Sequence, residues 1–281
     1  IYNGIISGIE MDGKSFFYVN PLEVYPKNHT NPVLEQVKVE RQKWYPCACC
    51  PPNVARFLLN IGDYIYSSNN DTVYIHQYIA NNSRLNIGES FVNIEMKCDL
   101  LKSQEIEIKI GGSDLENKNI ALRIPSWSSG HSVKIFNNEA DYEIINGYIY
   151  LRNIPKNDIS IYLSFNSELK VIKANKRVRY DAGKVAITYG PLVYCAEEID
   201  NGDMLYNLLL KDSKNFEREA FIHNELELFK IIVDGYREID NDDSLYHENN
   251  VTLENEKITL VPYHYWGNRG VGEMQVWFRI K

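Results

Sequence analysis

Glu105-Ile106-Glu107-Ile108-Lys109-Ile110 alternates charge with isoleucine. Successive side chains on a strand point to opposite faces, so the pattern predicts a strand with one buried and one solvated face. An α-helix would scatter the isoleucines around its circumference. Working outward, the same period recurs. Thr72–Tyr78 sets Val73, Ile75 and Gln77 against Tyr74, His76 and Tyr78. Ala121–Ile124, Ser132–Phe136, Gly147–Leu151 and Ser160–Phe165 are further short strands, each bounded by Gly, Asn, Asp or Pro. Such spacing predicts a β-sandwich over residues 69–170. Strand-like sequence continues in Lys184–Thr188, Leu192–Cys195, Phe229–Val233, Ile258–Tyr263 and Glu273–Ile280, which predicts a second β-sandwich over 171–281. Asn207–Leu210 fits helix and strand equally.

Residues 1–68 have a different character. A helical end at Ile1–Ile9, a turn at Asp12-Gly13 and a strand at Lys14–Val19 lead into a long polar loop reaching Tyr45. Cys47-Ala48-Cys49-Cys50-Pro51-Pro52-Asn53 follows. Proline suits a first helical turn, and Val54, Phe57, Leu58 and Ile61 recur at helical spacing. A helix is predicted from the prolines to Gly62 or Tyr66, with no helical sequence nearby to cover its apolar face. The segment has the composition of the tail of a larger domain. With no basic n-region or cleavage site behind Ile1, the chain is expected to begin mid-protein or after processing.

Three of the five cysteines lie within four residues. Cys49 and Cys50 are poor disulfide partners, because consecutive Cα atoms stand about 3.8 Å apart and a disulfide wants about 5.5–6 Å. Adjacent thiols at a helix N-terminus can share a soft metal ion, or divide between ligand and nucleophile, since the helix end favours thiolate. The bland alternative is three small buried residues, which is the commoner fate of a lone cysteine. Zinc takes four protein ligands, or three and water, so this motif needs ligands from elsewhere.

Charge and composition exclude some classes. A net charge of −8 argues against a nucleic-acid partner, which would call for a basic face. The acidic bias concentrates at 217–256, with 12 acidic and 3 basic side chains, and is expected to form a solvated surface. No apolar run reaches the 18 residues of a membrane helix. Cys98 and Cys195 stand alone in strand-like sequence, so a disulfide framework is not expected and a reducing, cytoplasmic setting is. The sequons at Asn28, Asn70, Asn81 and Asn250 matter only in a glycosylating cell. His29, His76, His131, His223, His247 and His264 are scattered without metal-ligand spacing. Asp200-Asn201-Gly202-Asp203 and Asp240-Asn241-Asp242-Asp243 are expected to be plain turns and not calcium loops. Trp127, Trp266 and Trp277 could stack on sugars, but in a sandwich they more often belong to the core. Glu10, Glu23, Glu35 and Glu40 lie in polar sequence and offer no evident buried acid.

Gly13–Glu23, Arg41-Gln42-Lys43-Trp44 and Cys47–Arg56 resemble the β-L-arabinofuranosidases of glycoside hydrolase family 127. Leu122–Trp127, Gly183–Ala186, Gly190–Cys195, Leu260–Tyr263, Asn268-Arg269-Gly270 and Gly272–Trp277 fit the same family in the same order. The resemblance implies an (α/α)6-barrel catalytic domain, of which 1–68 is the end, followed by the two β-sandwiches at 69–170 and 171–281.

It also implies zinc held by a glutamate and three cysteines. Two of these match Cys49 and Cys50, with Cys49 also the nucleophile, and Tyr18 matches a tyrosine lining the sugar site. The remaining zinc ligands, the general acid and the sugar-binding histidines match nothing in this chain, and Cys47 is not made a ligand. The implied activity is retaining hydrolysis of β-L-arabinofuranosides in an oligosaccharide or glycoprotein glycan, with these 281 residues inactive alone. Dimerisation through Leu253–Lys281 is a further implied property. A reading from another class is a non-catalytic β-sandwich pair that supports assembly or binds carbohydrate weakly.

Overall fold

In the computed structural model, residues 1–281 are described apart from 28–35, 48, 114, 116–117, 137, 153, 155–157, 214, 243, 247 and 249–250. His29, His247, Glu35, Ala48, Asp243 and the sequon positions Asn28 and Asn250 therefore lie outside the described residues. The chain is mainly β and divides into two compact units, one of residues 53–168 and one of 1–52 together with 169–281.

The first unit is a β-sandwich. One sheet has five strands, in the order Glu143–Ile145, Tyr148–Leu151, Asn119–Arg123, Thr72–Ile75 and Tyr66–Ser68. The other has six, in the order Asn81–Ile87, Ser90–Cys98, Glu105–Ser113, Ile159–Phe165, His131–Ile135 and Asn138–Glu139. Ile106, Ile108 and Ile110 are fully buried, while Glu105, Lys109 and their neighbours face solvent. Ile108 is paired across its sheet with Met96 and Ile161. Val73, Ile75, Ile120, Leu122 and Ile149 of the opposite sheet meet them in one apolar cluster. Asn146 and Gly147, both at positive φ, make the two-residue turn between Glu143–Ile145 and Tyr148–Leu151, where such a hairpin requires residues tolerant of that backbone.

The second unit is built on one ten-stranded sheet. Its longest strands, Leu226–Asp240 and Val251–Pro262, pair antiparallel. The sheet closes on itself because Lys184–Tyr189 pairs both with Leu192–Glu197 and with Phe278–Ile280. Residues 1–52 join this sheet directly: Glu23–Val24 pairs with Met274–Gln275. Phe17 stacks on Trp266 with ring centroids 4.7 Å apart, and the Tyr263 hydroxyl donates to the Pro21 carbonyl at 2.6 Å. Buried Arg41 lies over both rings and donates to the carbonyls of Trp266 and Ser7.

Several expectations are corrected. Lys14–Val19 is not a strand: Phe16 makes single bridges to Ile9 and Gln42, and Ser15 and Phe17 are held by burial instead of a ladder. Ile1–Ile9 is a run of turns with 3-10 geometry only at Ile6–Gly8. Glu273–Ile280 divides into two short strands, and Leu208–Leu210 is a strand. Asn81–Ile87 and Phe216–His223 form strands that the sequence pattern did not reveal, because polar side chains interrupt their alternation. The acidic 217–256 stretch is a largely solvated face whose charges pair across strands, as in Lys230–Glu219 and Arg237–Glu256. No helix of the described residues is long and apolar enough to cross a membrane, which says nothing of a β-barrel.

Candidate active site

The one helix longer than four residues among those described is α1, Cys50–Leu59. Pro51 and Pro52 fall in its first turn, where their missing N–H groups cost nothing. The helix gives way at Asn60 to a 3-10 turn over Ile61–Tyr64, short of the longer end expected. Cys49 precedes the first helical residue and Cys50 is that residue, so both lie where the helix dipole favours a thiolate. Ala48, between Cys47 and Cys49, is outside the described residues.

Three sequence-selected side chains come together here. The Tyr18 hydroxyl is 3.6 Å from Cys49 Sγ, and Cys49 Sγ is 3.8 Å from Cys50 Sγ. The Tyr18 bond lowers the Cys49 pKa first of all, with contributions from Cys50 and Cys47. The reciprocal effect raises Tyr18 to about 12, so the phenol keeps its proton and donates to sulfur. Burial, followed by the Cys49 hydrogen bond, moves Cys50 the other way. The pair is thus electrically unequal, with Cys49 the readier thiolate and the more exposed sulfur.

Tyr45 is the residue that sequence reasoning missed. Its buried ring packs at 5.4 Å on Tyr18 and at 5.2 Å on Phe16, which fixes where the Tyr18 hydroxyl can reach. The only signal for it was its place in Trp44-Tyr45-Pro46 just ahead of the cysteines.

The thiol pair fits a metal of the zinc class. Two sulfurs each about 2.3 Å from one tetrahedral zinc stand about 3.8 Å apart, which is the Cys49–Cys50 separation. Among the described residues no group of three or more His, Cys, Asp or Glu is gathered for a metal. Three of the described histidines are engaged elsewhere: His76 hydrogen-bonds Ser67 and Tyr148, His131 lies by Tyr142, and His223 lies edge-on to Tyr265; His264 is buried beside Tyr2. None of the five cysteines is in a disulfide, and Cys195 is fully buried, which drives its thiol pKa upward. The tryptophans named as sugar platforms are packing residues: Trp266 is buried, and Trp127 and Trp277 rest against the two cores. Asp200 pairs with Arg269, and buried Asn201 bonds the backbone of Glu197 and Thr259, so that turn is structural.

Comparison with known proteins gives a consistent result. Residues 1–63 match the model for the β-L-arabinofuranosidase GH127 catalytic domain, 72–167 the GH127 middle domain and 169–279 the glycoside hydrolase family 127 C-terminal domain. A non-reducing end β-L-arabinofuranosidase of Bifidobacterium longum subsp. longum is 35% identical, over 99% of this chain and 44% of its own length. The crystal structure of a GH127 β-L-arabinofuranosidase from Geobacillus stearothermophilus T6 superposes with a TM-score of 0.90 and 37% identity, over 100% of this chain and 45% of that one. A third relative, a GH127 β-arabinofuranosidase, gives a TM-score of 0.85 at 29% identity, over 100% of this chain and 44% of its own. The chain spans less than half the length of each.

Proposed function

The chain belongs to glycoside hydrolase family 127, and from that premise we propose that it forms part of a retaining glycosidase for β-linked L-arabinofuranosides. Cys49 is the nucleophile, Cys49 and Cys50 hold a zinc ion, and Tyr18 contacts the sugar. The observation that carries this reading is the Tyr18–Cys49–Cys50 cluster at the start of α1, with Cys49 the lower-pKa thiol.

In retaining hydrolysis a nucleophile attacks the anomeric carbon while an acid protonates the departing oxygen; water then attacks the same carbon, gives a proton to the former acid and displaces the nucleophile. Zinc, when bound, favours the thiolate form of its cysteine ligands at neutral pH. The Cys49 thiolate forms the bond to carbon, the glycosidic C–O bond breaks, and its electron pair takes a proton from the general acid. Tyr18 donates to the sulfur and holds one lone pair, which leaves another for attack. The acid and the remaining zinc ligands come from residues outside those described here. General acid assistance is worth about 10²–10⁴-fold, so residues 1–281 alone should not hydrolyse an aryl β-L-arabinofuranoside. The five unbridged cysteines suit a reducing compartment.

The test is a chain extended to the full length of its relatives, assayed on the aryl glycoside. Cys49→Ser should lower kcat on the order of 10⁴-fold or more, because a serine hydroxyl is too weakly acidic to replace the thiolate. Cys47→Ser should leave kcat nearly unchanged. Cys50→Ser should weaken zinc retention against a chelator. A Cys49→Ser enzyme retaining most of its kcat overturns the assignment and makes the thiol pair structural.

A further inference from the structure

Arg41 is buried, yet among the described residues no carboxylate lies within ion-pairing distance of it. Burial lowers its pKa to about 10, which leaves the guanidinium charged at neutral pH. A buried cation without an ion partner costs stability, and an apolar side chain of similar volume is often as good or better in such a place. The polar return is small. Nη1 donates to the Trp266 carbonyl at 2.7 Å and Nη2 to the Ser7 carbonyl at 2.8 Å, while Nε has no partner. The guanidinium also lies over the Phe17 ring at 4.7 Å. Gly267, at positive φ, leaves the room: a Cβ there would stand 3.3 Å from Arg41 Nη1 and 4.0 Å from the Phe17 ring. Arg41 thus ties together three segments distant in sequence, and stability alone does not account for it.

The account lies one residue beyond Phe17. Ser15 and Phe17 are buried, whereas Phe16 and Tyr18 are half-buried and both pack on Tyr45. Such alternation is that of extended chain, so Phe17 and Tyr18 point to opposite sides. Their Cα atoms are about 3.8 Å apart. Fixing the Phe17 ring on Trp266 and under Arg41 therefore leaves Tyr18 little freedom of position. Gln42, next to Arg41, exchanges both backbone hydrogen bonds with Phe16 and holds the same segment from its other end. The Tyr18 hydroxyl is delivered 3.6 Å from Cys49 Sγ.

We propose that Arg41 is a positioning residue for the reaction: it locks Phe17 on Trp266 and through Phe17 holds the Tyr18 hydroxyl at Cys49. Lysine cannot replace it, because an ammonium lacks the planar fork that serves two carbonyls while lying flat over a ring. The catalytic consequence rests on the glycosidase reading above, whereas the positioning does not.

Coupling between Arg41 and Tyr18 tests this, since residues that act through one another are non-additive. In the zinc-free 281-residue chain, alkylation of Cys49 by iodoacetamide at fixed pH is followed by mass spectrometry. Tyr18→Phe should change the rate about twofold or more. Arg41→Lys should change it in the same direction, and the double variant should match Tyr18→Phe. In the chain extended to the full length of its relatives, Arg41→Lys should lower kcat on the aryl glycoside about tenfold or more, because a misplacement of about 1 Å costs about 10²-fold. Once Tyr18 is replaced by Phe, the same substitution should cost less than about twofold. Phe17→Leu removes the intervening ring while leaving both Arg41 carbonyl bonds. It should reproduce both results, and it carries the test if Arg41→Lys does not fold by circular dichroism. Effects that add, Tyr18→Phe without effect on alkylation, or a folded Arg41→Lys chain alkylated at the wild-type rate overturn the proposal and leave Arg41 structural only. An extended chain inactive on the glycoside refutes the glycosidase reading, and the alkylation rates then decide the positioning by themselves.

Discussion

The two compact units solve burial in opposite ways. In residues 53–168, Thr72 is the sole buried polar or charged side chain among the described residues, tyrosines aside. In 1–52 with 169–281, the interior holds Ser7, Ser15, Arg41, Glu197, Asn201, His264, Glu273 and Gln275. The first unit is a dry sandwich whose specificity lies in shape and alternation. The second is wired. Arg41 links Ser7 to Trp266, Asn3 bonds the backbone of Pro191 and Val193, and Asn268 receives the Met11 N–H. Polar contacts between sequence-distant segments fix relative position more narrowly than apolar ones, because a misplaced donor or acceptor is left unpaired. The contrast therefore teaches that the segment carrying Tyr18, Cys49 and Cys50 is located by the C-terminal sheet, to which it is bonded.

The largest effect expected from this contrast lies in the dry unit. Ile108 is fully buried between Met96 and Ile161, so Ile108→Ala removes three carbons and leaves a cavity that rigid sheets cannot close. The expected loss is about 3–4 kcal/mol, read as a lower urea midpoint at unchanged slope. A cost below about 1 kcal/mol would show that the sandwich core is plastic and would remove half of the comparison.

The wired unit should respond to acid through a buried histidine. His264 is buried beside Arg41, and burial first, then that charge, lowers its pKa to about 4. Its folded-state value is thus below the ordinary 6.5 or so. Stability associated with the neutral ring is complete above pH 6.5 and is lost as pH falls towards 4, because the unfolded chain takes up the proton first. The window spans about 2.5 pH units, or about 3 kcal/mol at 1.36 kcal/mol each. Unfolding free energies at pH 7 and pH 4 should differ by that much more in the wild type than in His264→Gln. Equal pH dependence in the two proteins would refute the buried neutral histidine.

How much of this was legible in the sequence follows from the same contrast. A dry sandwich writes itself in period two, and the run from Glu105 to Ile110 sufficed to orient its strand. Asn81–Ile87 escaped because five of its seven residues are polar, and its pairing partner, not its own pattern, makes it a strand. Cys49 and Cys50 were legible because vicinal thiols before a proline-led helix have few structural uses. Tyr18 entered through family resemblance, and Tyr45 was invisible, since contacts between loop residues leave no periodic trace.

The smallest expected effect concerns α1, which belongs to neither solution. No residue of this helix is buried, although Val54, Phe57 and Leu58 follow an amphipathic spacing, and Leu59 is 86% exposed. Trp44, just ahead of the cysteines, is 70% exposed. An amphipathic helix takes most of its stability from what its apolar face packs against, and in these 281 residues Val54 and Phe57 are half-buried, Phe57 stacking on Tyr64, while Leu58 and Leu59 are exposed. Leu59→Ala and Leu58→Ala should therefore change the unfolding free energy of this chain by no more than about 0.5 kcal/mol. In a chain carrying the rest of a catalytic domain over that face, the same truncation of Leu58 should cost about 2–3 kcal/mol. Paired urea titrations of the two chains decide the matter. A large cost in the short chain would mean that α1 already has a partner here, whereas a negligible cost in both would mean that no domain packs on this face. Only the intermediate result, silent in one and costly in the other, makes the helix bearing Cys50 half of an interface.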